Sequence, residues 1–300
     1  MGGKYSYEEF KKIIISGVAE QCGAGLYVKI MQVLKNNSVK FDSLAVVKEG
    51  CITTTALYYL QEYYSGYLSG EGIDDIVAGI VRTLDSTKPH DVADVLGDVG
   101  VCQEHVVCRL VSYKKNQQFL KEVPYKRFLD LAVVFYCTFK QGADGYYSFR
   151  LTNEFFRKWG MSVEELYSVA VKNSGKLFPV SCKSLESVVR SICNTADFPE
   201  LPAGLPGMPF VLTNKDGMYG AAVMLYPDCL RNVCAPLGNV YVLPSSIHEV
   251  LLIPESIAGD AGGLKKMVQD VNRSCVDATE ILSDCVYSYC VDTNGIEICQ

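Results

Sequence analysis

An α+β fold, with antiparallel sheets built from repeated strand-turn-strand-helix units and helices on one face, follows from three features of this sequence. Apolar strand-like runs come in pairs around short polar turns. Helical stripes fall between the pairs, and no Gly-rich dinucleotide fingerprint is present. The repeated unit is expected three times: over Leu26 to Leu84, Phe128 to Trp159 and Pro209 to Cys234.

The first helix is announced by Ser6-Tyr7-Glu8-Glu9, a capping box, with Phe10, Ile13, Ile14, Gly17 and Val18 behind it on one face. Leu26 to Leu34 and Val39 to Val47 read as a hairpin around Lys35-Asn36-Asn37-Ser38, since Asn tolerates the positive dihedral of a tight turn. A Tyr-rich stretch follows, and Ile73, Ile76, Val77, Ile80 and Leu84 give a helical stripe. Periodicity fades between Thr83 and Gly100, which predicts an N-terminal region over residues 1–90 and a main α+β domain over 91–300, able to pack as one unit.

A helix is expected over Glu104 to Leu120. Leu129 to Phe139 is the strongest strand and reverses through Gln141-Gly142-Ala143-Asp144-Gly145 into Tyr146 to Leu151. Thr152 caps a short helix that Gly160 stops, and Ser162-Val163-Glu164-Glu165 is a second capping box. Leu185 to Ile192 reads as helix, and Asp197 to Gly207, with three prolines, as an extended loop or lid. Pro209 to Leu212 and Met218 to Leu225 are expected as strands, and Pro227 opens a helix that Gly238 ends. Val240 to Leu243 and Glu249 to Ile253 are strands; helices at Leu264 to Val271 and Asp277 to Ser283 and a strand at Cys285 to Val291 complete the series.

The 300 residues are 49% hydrophobic, enough for one large domain or two modest ones, and carry a formal charge of -6. Lys and Arg are scattered, so neither nucleic acid nor an anionic membrane surface is expected as partner. The longest apolar run, Leu129 to Phe139, contains Asp130 and falls short of the roughly 20 residues a membrane helix needs. The N-terminus lacks the layout of a secretory signal. Thirteen cysteines sit mostly among apolar neighbours, which suits a reduced, cytoplasmic protein using Cys as a small hydrophobe. No Cys-x-x-Cys pair occurs, and His90 and His105 lack metal-ligand spacing, so no metal and no cofactor is expected.

From Arg127 to Glu255 the order of signals is distinctive: Phe128-Leu129-Asp130-Leu131-Ala132-Val133-Val134, Gly160-Met161-Ser162-Val163-Glu164-Glu165-Leu166, Val171-Lys172-Asn173, Val211-Leu212-Thr213-Asn214, then Val242 to Val250. This resembles an uncharacterised family, a domain of unknown function found in anaerobic Gram-positive bacteria. More distantly, over the central and C-terminal half, it is similar to the YtpQ-like proteins. The resemblance implies the fold and a cytoplasmic setting, and brings no catalytic residue, substrate or cofactor.

Ser245, Ser246, His248 and Glu249 form the densest chemistry, where a base and a hydroxyl nucleophile would be the logic of a hydrolase or transferase. Against this stands a loop whose serines bond to backbone. Asp130, an acid in an apolar strand, must be paired or exposed; Asn214 with Asp216 and Gly217 resembles a turn. Tyr58, Tyr59, Tyr63, Tyr64 and Tyr67 either pack inward or form an aromatic interface. The leading expectation is a non-enzymatic binding or regulatory module contacting a protein partner. The alternative is a hydrolase, transferase or small-metabolite binder around Ser245, Ser246 and His248.

Overall fold

The computed structural model describes residues 4–22, 26–48, 57–86, 98–141, 145–192 and 209–299. Contacts divide the chain into two units. One comprises Met1–Lys35 and Val39–Val99, the other Asn36–Ser38 and Gly100–Gln300. Both are α+β, with every sheet antiparallel.

In the first unit, α1 (Tyr7–Gln21) starts at a complete capping box, the Ser6 N–H donating to Glu9 at 2.9 Å. The strands β1 (Leu26–Leu34), β2 (Lys40–Lys48) and β3 (Leu57–Tyr59) form a three-stranded meander, followed by α2 (Leu60–Ser69) and α3 (Ile73–Ser86). Phe10, Ile14 and Val18 of α1 close a core with Leu44, Val46, Leu60, Ile76, Val77 and Ile80. The α1–α3 crossing is tight: a Cβ on Gly17 would lie 3.0 Å from a Val77 methyl, so only glycine fits without displacement.

The five tyrosines weighed as an interface are not exposed. Tyr58 is buried, Tyr59 half-buried beneath the Lys35 ammonium, and Tyr63, Tyr64 and Tyr67 pack against the α1 core, with Tyr64 and Tyr67 flanking Phe10. Burial of these large rings outweighs display, because the small meander has little other apolar volume to cover α1.

The second unit opens with α4 (Val99–His105) running into β4 (Val106–Ser112). Sequence periodicity predicts helix here, but Val106, Val107 and Val111 are β-branched and both faces of the segment are buried, which removes the alternation that marks a strand. β5 (Tyr125–Phe128), β6 (Leu131–Gln141) and β7 (Gly145–Arg150) complete a four-stranded sheet in which β6 is central: β4 pairs one edge, and β5 and then β7 pair the other. Thr152 caps α5 (Asn153–Phe156), accepting the Phe155 N–H, and Gly160 turns at φ 63° before α6 (Val163–Leu177), whose own capping box is Ser162 and Glu165.

β8 (Val180–Ser184), α7 (Leu185–Ile192), β9 (Phe210–Asn214), α8 (Cys229–Cys234), β10 (Val240–Leu243), β11 (Val250–Pro254), α9 (Ala261–Ser274), β12 (Tyr287–Cys290) and β13 (Gly295–Ile298) follow. They build a six-stranded sheet in the order β13-β12-β10-β11-β9-β8.

The strand-turn-strand-helix unit is seen over Leu26 to Leu84 and Phe128 to Trp159, but not over Pro209 to Cys234. Met218 to Leu225 is not a strand: Gly220–Leu225 is a fully buried 3-10 segment, and β9 pairs instead with β8 and β11. The reason is local. A Cβ on Gly220 would sit 2.5 Å from the His248 carbonyl oxygen and 2.8 Å from the Asn214 nitrogen, so the chain passes too close to its neighbours for a pleated ladder. Asp277 to Ser283 is turn rather than helix, because the Asp277 carboxylate takes both the N–H and hydroxyl of Thr279. The Pro-rich stretch 197–207, His90 and most of the fading segment between Thr83 and Gly100 lie outside the described residues.

Candidate functional site

Asp130 follows Leu129, which turns at φ 54°, and its carboxylate accepts hydrogen bonds from the Ser283 hydroxyl at 2.7 Å and from the Tyr287 hydroxyl. Its partners are hydroxyls and not a base, since Arg127 stacks 3.5 Å over the Tyr113 ring and donates to the Leu129 carbonyl. Burial, reinforced by the Asp130 charge, drives the Tyr287 phenol well above its ordinary pKa, so it remains a donor. Asp130 thus lies in the turn between β5 and β6 rather than within the strand the sequence suggests, and pins that turn to β12 and its approach with one hydroxyl on each carboxylate oxygen.

The serines and histidine expected to converge for catalysis are also engaged elsewhere. Ser246 Oγ accepts the His248 backbone N–H at 3.0 Å, and the Ser245 carbonyl accepts Leu282 N–H. His248 Nδ1 accepts the Tyr219 backbone N–H at 3.2 Å, which places the ring proton on Nε2, 3.5 Å from Glu280. Glu249 is half-buried at the start of β11. Neither serine hydroxyl hydrogen-bonds the imidazole, so the segment is a seam that shapes its neighbour, Tyr219.

That neighbour matters. Tyr219 holds a left-handed φ of 54°, a strained state for an aromatic residue, and its ring lies between the His248 ring, centroids 5.5 Å apart, and the Arg109 guanidinium at 3.8 Å. On its other side Arg109 stacks 4.0 Å over Tyr136 of β6, and its Nη2 donates to Ser148 of β7 at 2.7 Å. Arg109 sits on β4, an edge strand whose free side is covered by α6: Ser174 Oγ accepts Cys108 N–H at 2.9 Å, and Asn173 bonds the carbonyls of Gln103 and Val106. The strand is thereby held rigidly, and Arg109 projects from a fixed base.

The guanidinium opens on a cavity of about 180 Å³ between this sheet and the 3-10 segment, lined also by Thr138, Tyr146, Phe178, Asn214, Asp216 and Tyr226. No Asp or Glu among the described residues forms an ion pair with Arg109, and burial draws its pKa below the ordinary arginine value despite the two flanking tyrosines. Thr138 also lines this space; it is 2% exposed, and its buried Oγ1 has no hydrogen-bond partner among the described residues. Asp216 lies exposed at the rim and accepts the Tyr146 hydroxyl at 3.1 Å. Asn214, which the sequence marks as a turn, is buried: its amide donates to the Met218 carbonyl and its oxygen accepts Asp216 N–H, fixing the rim.

Sequence reasoning singles out Asn214 but misses Arg109. The signal was present: a charge inside Val106-Val107-Cys108-Arg109-Leu110-Val111 is the same anomaly that singles out Asp130. Among the described residues no group of three His, Cys, Asp or Glu is arranged to hold a metal ion, and no helix is long and apolar enough to cross a membrane.

A sequence model of a family of unknown function, DUF5688, matches residues 7–291. The chain belongs to this family. The DUF5688 match spans residues of both units. No curated protein and no solved structure matches this DUF5688 chain.

Proposed function

We propose that this DUF5688 protein is a non-enzymatic binding module whose second unit takes a small polar metabolite through an acid group held by Arg109. The observation that carries the reading is a guanidinium, clamped between two tyrosine rings, that faces a cavity and makes no ion pair with the one carboxylate lining it, Asp216 at the rim. A guanidinium has five N–H donors and one hydrogen bond accounts for Nη2 here, so planar donor capacity is open to a ligand. Stacking on both faces holds the group in place before binding, which lowers the entropic cost of capture. His248 supports Tyr219 in this clamp and serves the site as a positioning residue.

The reading favours a small molecule over a protein partner because the tyrosines weighed as an interface pack inward. A net charge of -6 favours a small ligand over a polyanion. A cytoplasmic setting suits it, supported by the buried thiols Cys108, Cys137, Cys229 and Cys234, whose burial raises their pKa and makes them inert. The bacterial setting and the distant YtpQ-like likeness belong to this proposal as resemblances of sequence alone.

Thermal unfolding of the full chain against a panel of small metabolites tests the reading. An acid-bearing compound should raise Tm, and Arg109→Met, which keeps much of the stem packing, should abolish the shift. A panel in which acids never shift Tm, or shift the Arg109→Met variant equally, sinks it.

A further inference from the structure

We propose that the Arg109 cavity is built for a small zwitterion, a compound of the α-amino-acid class with one carboxylate and one ammonium group. The inference rests on the binding-module reading and adds the second charge.

The cavity has two poles. Arg109 and Asp216 both line it, and neither has an ion-pair partner among the described residues, including each other. Each is anchored on β7 by a different hydroxyl: Ser148 accepts from Arg109, and Tyr146 donates to Asp216. Residues 146 and 148 stand two apart on β7, so both side chains leave the same face of the strand and tie the two charged groups to one side of the sheet.

Thr138 belongs to the positive pole. It lies directly opposite Ser148, the hydrogen-bond acceptor of Arg109, in the β6–β7 register, and lines the cavity beside the guanidinium. At the rim Asp216 is positioned to accept from an ammonium. A simple anion would meet repulsion from Asp216 and a simple cation repulsion from Arg109, whereas a zwitterion satisfies both. At about 180 Å³ the cavity admits only a compact head group. A neighbouring space of about 520 Å³ shares Val107 and Thr138 with it and gives a ligand side chain somewhere to go.

Calorimetric titration of the full chain with each of the twenty free amino acids is the test, followed, for the best binder, by its 2-hydroxy-acid and its carboxamide analogues. The amino acid should bind, and each analogue about tenfold or more weakly, as loss of one charge-assisted pair implies. Asp216→Asn, on an exposed turn, should bring the amino acid and hydroxy acid to equal affinity; Arg109→Gln should lose both, and Arg109→Lys should retain part. If the hydroxy acid matches the amino acid in the wild type and Arg109→Gln abolishes both, the zwitterion is overturned and the acid-binding module stands. If no amino acid binds, the zwitterion is overturned; the acid-binding module falls with it only if no acid of the thermal-shift panel raises Tm either.

Discussion

Single side chains in this protein are informative where their chemistry disagrees with their surroundings. Asp130 and Arg109 are both charges in apolar stretches of sequence, yet the structure resolves them oppositely. Asp130 lies in the turn between β5 and β6, where Ser283 and Tyr287 donate to both carboxylate oxygens, while Arg109, inside β4, retains unspent donors beside a cavity. Replacing Asp130 by Ala should strand two buried hydroxyls and cost about 1–3 kcal/mol in urea unfolding, with Asp130→Asn losing less because an acceptor remains. Equal stability of Asp130→Ala and wild type would show that the pin is not a stabilising contact. The anomaly at Asp130 was legible in sequence, but its partners were not. They lie 153 and 157 residues away, and no local pattern encodes such a pairing.

Elements were most legible where their signals are local. Both capping boxes, the Thr152 cap and the Gly160 stop are written in adjacent residues and form as those residues dictate. Elements whose identity depends on distant packing were not: β4 has no alternation because both faces are covered, and Gly220–Leu225 is an apolar run that β9 and the His248 backbone force out of a strand. The α6 capping box also predicts a pH effect. The backbone N–H and then the hydroxyl of Ser162 hold the Glu165 carboxyl below its ordinary 4.5. A depressed folded-state pKa contributes stability above that value and loses it as pH falls through the folded pKa. Glu165→Gln should therefore unfold at lower urea than wild type near neutral pH, with the difference closing below pH 4.5. A difference independent of pH would assign the effect to something other than the carboxylate charge.

At the scale of the whole molecule, the second unit is discontinuous in sequence, since Asn36–Ser38 belongs to it. The Asn37 amide donates to the carbonyls of Ala278 and Ile281, its backbone N–H donates to Asn116, Asn36 donates to Thr279, and Ser38 donates to Lys115. Asn37 also holds φ 60°, so Asn37→Gly keeps the backbone and removes only the side-chain bonds. It should cost the second unit about 1–3 kcal/mol, read from the chemical-denaturation transition; an unchanged transition would leave those bonds without energetic weight. The same three residues impose a schedule on the growing polypeptide. They are made before the rest of the second unit, and the carbonyls that Asn36 and Asn37 bond follow more than 240 residues later. At the usual pace of synthesis, about 5–20 residues per second, this asparagine pair waits at least about ten seconds for its acceptors, so the second unit closes only once Ala278, Thr279 and Ile281 have been made.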